Sequence, residues 1–70
     1  MYKDGDKIVL TKSISADVIG EQRKLDLPAG TIASVVVVYG DPDQPVAYEV
    51  EAYVEEQDCY VLTTVDVADL

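Results

Sequence analysis

The stretch Val46-Ala47-Tyr48-Glu49-Val50-Glu51-Ala52-Tyr53-Val54 decides the fold. Val46, Tyr48, Val50, Ala52 and Val54 recur at every second position, and Ala47, Glu49, Glu51 and Tyr53 fill the places between. Successive side chains of a strand point to opposite faces, whereas a helix repeats every 3.6 residues, so this period of two predicts a strand with one core face and one wet face. Upstream, residues 31–39 contain Val35-Val36-Val37-Val38, a β-branched run that predicts a central strand buried on both faces. Between the two lies Gly40-Asp41-Pro42-Asp43-Gln44-Pro45, whose prolines cannot donate to a ladder and which reads as a loop joining neighbouring strands. Downstream, the short polar group Glu55-Glu56-Gln57-Asp58 should close a hairpin onto the β-branched and aromatic residues 59–65. Val67-Ala68-Asp69-Leu70 then reads as a last turn that lids the barrel.

Toward the N-terminus, residues 6–11 alternate again, with Ile8 and Leu10 on one face and Lys7, Val9 and Thr11 on the other. Residues 13–30 hold Gly20, Pro28, Gly30 and the polar group Glu21-Gln22-Arg23-Lys24, and they read as a long connection with room for one helical turn. A strand, a long loop, three strands in hairpin order and a closing turn are the elements of an all-β domain. The expected architecture is a small SH3-like, partly open barrel of about five short antiparallel strands, with an open meander as the alternative. No connection has the helical pattern that a parallel crossover requires.

Seventy residues leave room for one core, so residues 1–70 form a single domain. A chain of this size removes only about 60% of its unfolded surface from water, so its apolar residues go almost wholly into that core. Cys59 is the sole cysteine, which excludes an internal disulfide and a bridge-stapled extracellular scaffold. There is no histidine, hence neither the commonest general base nor the commonest metal ligand. Met1-Tyr2-Lys3-Asp4-Gly5 lacks the charged-then-apolar pattern of a signal peptide, and no apolar run is long enough for a membrane helix. A cytoplasmic location without membrane attachment is expected.

The net charge of −9 is unevenly placed. Residues 1–39 hold five acids and five bases, whereas residues 40–70 hold nine acids and no base. Such a surface repels nucleic-acid phosphate and anionic membranes and attracts basic proteins in a salt-dependent way. A solvated face that maintains solubility is the plainer reading of the same acids.

The chain resembles a family of small bacterial proteins, the domain of unknown function numbered 4926. The resemblance rests on Asp6-Lys7-Ile8-Val9-Leu10-Thr11, Leu27-Pro28-Ala29-Gly30-Thr31-Ile32-Ala33-Ser34-Val35-Val36, Val38-Tyr39, Ala47-Tyr48-Glu49-Val50-Glu51, Val61-Leu62-Thr63 and Asp69-Leu70. Ala33 stands where the pattern usually has glycine, and members commonly run on with Arg or Pro beyond the position of Leu70. The resemblance implies an SH3-like barrel that binds rather than catalyses, and an antitoxin or immunity role. It supplies no catalytic or binding residues.

Glu49 and Glu51, two apart on the wet face of one strand, project side by side, and with Glu55, Glu56 and Asp58 they are expected to form a negative stripe. Tyr53 shares their parity and adds a flat amphipathic contact of the kind favoured at interfaces. Tyr39, beside Asp41-Pro42-Asp43, could instead wall a groove for proline-rich peptides, although the chain has no tryptophan to complete one. Asp41 and Asp43 lack the ligand spacing of a calcium loop, and Cys59 reads as a strand residue rather than a reactive thiol. The expected function is therefore non-enzymatic, without cofactor or metal: a monomer or weak homo-oligomer whose acidic half docks a basic protein. The alternative is a structural subunit that pairs its barrel edges.

Overall fold

In the computed structural model, which describes residues 2–70, the alternating segment becomes the longest strand. This strand, β5 (Gln44–Val54), pairs antiparallel with β4 (Ile32–Asp41) on one side and with β6 (Cys59–Asp66) on the other. Three shorter strands complete a single antiparallel sheet: β1 (Lys7–Val9), β2 (Ile14–Val18) and β3 (Lys24–Leu27). The strand order is β1-β4-β5-β6-β2-β3, with no ladder joining β1 to β3. One cluster nevertheless buries Ile8, Ala16, Val18, Leu27, Val35, Val50 and Val61, residues of all six strands. A flat sheet cannot bring its two ends to one core, so the sheet curls into a partly open barrel. An 11-residue strand spans about 36 Å, which matches the 35 Å longest dimension of the molecule.

Six strands stand where about five were expected, because residues 13–30 are not a simple connection. Ile14, Ala16 and Val18 alternate inward against the outward Ser15 and Asp17, and the register pairs Ala16 with Leu25 and Ile14 with Leu27. The strands are short and their turn is polar, so the period of two is easily lost against the glycines around it. Gly20 makes that turn at φ +82°.

The valine run also differs from expectation. Val35 is fully buried and Val38 packs against the core, yet Val36 and Val37 are exposed. A bulge between Val35 and Val37 sets two residues against one on β5, and the outer face of the sheet has no second layer over it. A second irregularity between Tyr39 and Gly40 inverts the parity at the start of β5, so Ala47 is buried and Val46 is 65% exposed. Gly40 has φ +92°, and a Cβ there would lie 3.2 Å from the Val46 nitrogen, so the bulge requires glycine. The expected six-residue loop contracts to the turn Pro42-Asp43, with Asp41 paired to Gln44 and Pro45 tolerated inside β5 at the bulge.

At the other end of β5, a 3₁₀ turn over Glu55–Gln57 followed by Asp58 in the left-handed region (φ 49°) closes the hairpin to β6. The last residues form a second 3₁₀ turn, Val67–Asp69, tied down by the Thr11 hydroxyl donating to the Asp69 carbonyl and by a Lys12–Asp69 ion pair at 3.2 Å. Tyr48, almost fully buried, accepts the Tyr2 backbone N–H on its hydroxyl at 3.3 Å, and the Tyr2 ring stands edge-on to it at 5.6 Å.

Ile8 and Ile32 test this division of the surface. Ile8→Ala, at 1% exposure, should cost about 2–5 kcal/mol by urea denaturation. Ile32→Ala, on a residue 64% exposed, should stay within about 0.5 kcal/mol.

Candidate functional site

The outer face of β4, β5 and β6 gathers most of the candidate residues, and strand parity is the reason. Glu49, Glu51 and Tyr53 point away from the core because Tyr48, Val50 and Ala52 point into it. The register sets Val37 and Thr64 on either side of Glu49, Ser34 and Leu62 on either side of Glu51, and Tyr60 opposite Tyr53. Tyr39 belongs to the same face: its hydroxyl donates to Glu49 Oε2 at 3.1 Å, while Thr64 Oγ1 stands 3.5 Å from Glu49 Oε1. Glu49 and Glu51 are half-buried between their neighbours, so their carboxylates are held rather than free-swinging.

Glu55 and Glu56 sit exposed on the 3₁₀ turn at the end of the hairpin. Asp58 turns back and accepts a hydrogen bond from the Tyr53 hydroxyl. Tyr53 and Tyr60 stack at a tilt with ring centroids 5.0 Å apart, both about half exposed. Glu51, Asp58 and Tyr60 border one shallow depression together with Ile19 and Glu21 from the first half of the chain. A neighbouring groove runs between Glu49, Leu62 and Thr64 on one side and the Asp17–Lys24 ion pair of β2 and β3 on the other.

Tyr60, Leu62, Thr64, Asp17 and Lys24 were not anticipated as part of this face. Tyr60 was within reach of the sequence: once Glu55–Asp58 is taken as a four-residue hairpin loop, counting outward sets Tyr53 opposite Tyr60. The same counting sets Leu62 opposite Glu51 and Thr64 opposite Glu49, whereas Asp17 and Lys24 depend on β2 lying against β6, a pairing between segments more than forty residues apart.

The electrostatics follow from where the bases go. The described residues form three ion pairs, Lys12–Asp69, Arg23–Glu21 and Lys24–Asp17, all solvent-exposed. Two of them use acids of the balanced first half, so of the nine acids in residues 40–70 only Asp69 meets a cation. The fold does bring two bases of the first half near these acids: the Lys7 ammonium donates to the Ser34 hydroxyl at 2.7 Å, in the row of Glu51, and Lys24 borders the groove beside Glu49. Among the described residues no three acidic or cysteine side chains converge on a point where a metal ion could bind. Cys59 is partly covered against the core edge. No described helix is long and apolar enough to cross a membrane.

No family model, no curated protein and no solved structure matches this chain.

The two tyrosines that donate to carboxylates titrate abnormally. The hydrogen bond to Glu49 first, then partial desolvation and the negative charge of Glu49, raise the Tyr39 pKa above 10.0. The hydrogen bond to Asp58 does the same for Tyr53, with desolvation behind it. A phenol whose folded pKa exceeds its unfolded value stabilises the fold fully below the unfolded pKa, and this contribution is lost as the pH rises through the folded pKa. Ultraviolet titration of tyrosinate should therefore show two groups ionising late. Glu49→Gln should bring one of them back toward 10 and Asp58→Asn the other; two unshifted late titrations would remove both hydrogen bonds from the site.

Proposed function

We propose that this chain is a non-enzymatic protein-interaction domain of the cytosol, and that the outer face of β4–β5–β6 docks a basic protein. The observation that carries this reading is the set of half-buried acids, Glu49 and Glu51, on a face that also presents Tyr39, Tyr53 and Tyr60 and whose acids form no ion pair among the described residues. Fixed carboxylates lose little entropy when a lysine or arginine reaches them, and tyrosines give broad contact area at low entropic cost. A guanidinium approaching Tyr53 and Tyr60 gains contact with an aromatic face while Glu51 and Asp58 neutralise it. The remaining acids, Glu55 and Glu56 at the rim, steer the encounter at long range and are screened by salt. Occlusion of such a partner would make the chain an antitoxin or immunity-type protein, the role that its resemblance to the domain of unknown function 4926 family adds.

Charge alone would also attract basic proteins, so the test separates face from net charge. Glu49→Lys/Glu51→Lys and Asp4→Lys/Asp43→Lys change the net charge equally, but Asp4 lies in the turn before β1 and Asp43 in the β4–β5 turn, at the far end of β5 from Glu55–Asp58, and both are exposed. With each protein as bait in native lysate, read by mass spectrometry across a salt series, the first pair should lose the captured basic protein by at least tenfold while the second keeps it. Equal loss from both would reduce the acidic half to a solubilising surface.

A further inference from the structure

The ends of the sheet are protected, but one open edge inside it is not. β1 and β3, the terminal strands, have only three and four residues and carry Lys7, Lys24 and Asp26. Short charged edges resist the addition of another strand. β4 is covered by β1 only at residues 32–34, after which the Val35 N–H donates to the Asp6 carbonyl and the Val35 carbonyl accepts from the Gly5 N–H, both at 2.8 Å. From residue 36 to 41 the strand has β5 on one side and, among the described residues, no backbone partner on the other. No charged side chain occurs between Ile32 and Gly40.

In an antiparallel ladder each residue turns its N–H and C=O to one neighbour and the next residue turns them to the other. Val35 faces β1, the bulge inserts one residue, and the next to face outward is Val38, near the middle of the overhang. We propose that this edge pairs with the same edge of a second copy, antiparallel about a two-fold axis at Val38. Val38 then exchanges both backbone hydrogen bonds with its own copy. On the outer face Val37 of each chain falls opposite Tyr39 of the other, an aromatic and β-branched combination that favours strand pairing. Gly40 falls opposite Val36, whose backbone groups the bulge keeps from the outer edge, so the bonded contact is the Val38 pair alone, and Asp6 beside Val35 ends the addition.

The edge chooses a second copy because it is self-complementary and carries no charge with which to select a foreign strand. Five residues face the partner over about 17 Å with one of them bonded to its own copy, a small joint, so the dimer is weak. Each copy brings a charge of −9, so salt that screens the repulsion strengthens this association. Docking of a basic protein on the acidic face has the opposite salt dependence and rests on Glu49 and Glu51, so either can fail without the other although Tyr39 borders both.

Sedimentation equilibrium at rising protein concentration, in low and in high salt, reads the outcome. The wild-type chain should move from monomer toward dimer, more so in high salt. Val37→Lys, at an exposed side chain, and Val38→Pro, which deletes the outward N–H, should each weaken dimerisation at least tenfold. Val9→Lys on β1, also exposed, should leave it unchanged. All three variants make the net charge less negative or leave it unaltered, so a loss of association cannot come from added repulsion. Circular dichroism confirms that each is folded, and Val37→Lys alone suffices if the proline variant is not. A wild-type chain that stays monomeric throughout, or a dimer that Val37→Lys does not weaken, overturns the proposal.

Discussion

The antiparallel ladder of β4, β5 and β6 is the constraint from which the rest of the molecule follows. Its inward positions supply Val35, Tyr48, Val50, Ala52, Val61 and Val65, half of the buried core cluster, and its length sets the long axis of the protein. Seventy residues cannot cover both faces of such a ladder. β1, β2 and β3 therefore curl its two ends toward one side, and the 3₁₀ turn Val67–Asp69 settles against β5. Among the described residues none lies over the outer face, which remains exposed.

That leftover face is where the chemistry lies. The positions that alternate with the core residues of β5 must be tolerant of water, and Glu49, Glu51 and Tyr53 occupy them. Being on a three-strand ladder, they are flanked on both sides, which half-buries the two acids and lets Tyr39 reach Glu49. The hairpin end adds Asp58, held by Tyr53, and the exposed Glu55 and Glu56. Three of the five bases pair with Glu21, Asp17 and Asp69, in pairs that contribute little to stability, while Lys7 stands on the face itself and donates to the Ser34 hydroxyl rather than to an acid.

The two bulges serve the same hairpin in another way. Each adds a residue to one strand, increases the local twist and shifts which side chains face water. Val36, Val37 and Val46 are exposed as a result, although in sequence they belong to runs that look buried. Beyond Val35 the hairpin extends past the cover of β1, which makes an uncharged open edge and a negative outer face properties of the same two strands.

The sequence by itself determined the all-β class, the core parity of residues 48–54, the hairpin at Glu55–Asp58 and the acidic second half, since each is a matter of local period, turn chemistry or composition. It also brought Glu49, Glu51 and Tyr53 onto one face, because two-residue alternation needs no knowledge of neighbouring strands. It did not reveal the β2–β3 hairpin, where short alternation is obscured by a polar turn, nor the exposure of Val36, Val37 and Val46, where a bulge breaks the period. Only the tertiary structure decided that Tyr39 meets Glu49 and that Asp17 and Lys24 border the same face. Those contacts depend on which strands lie side by side and in what register, and register is set by the burial of the whole core rather than by any segment's own residues.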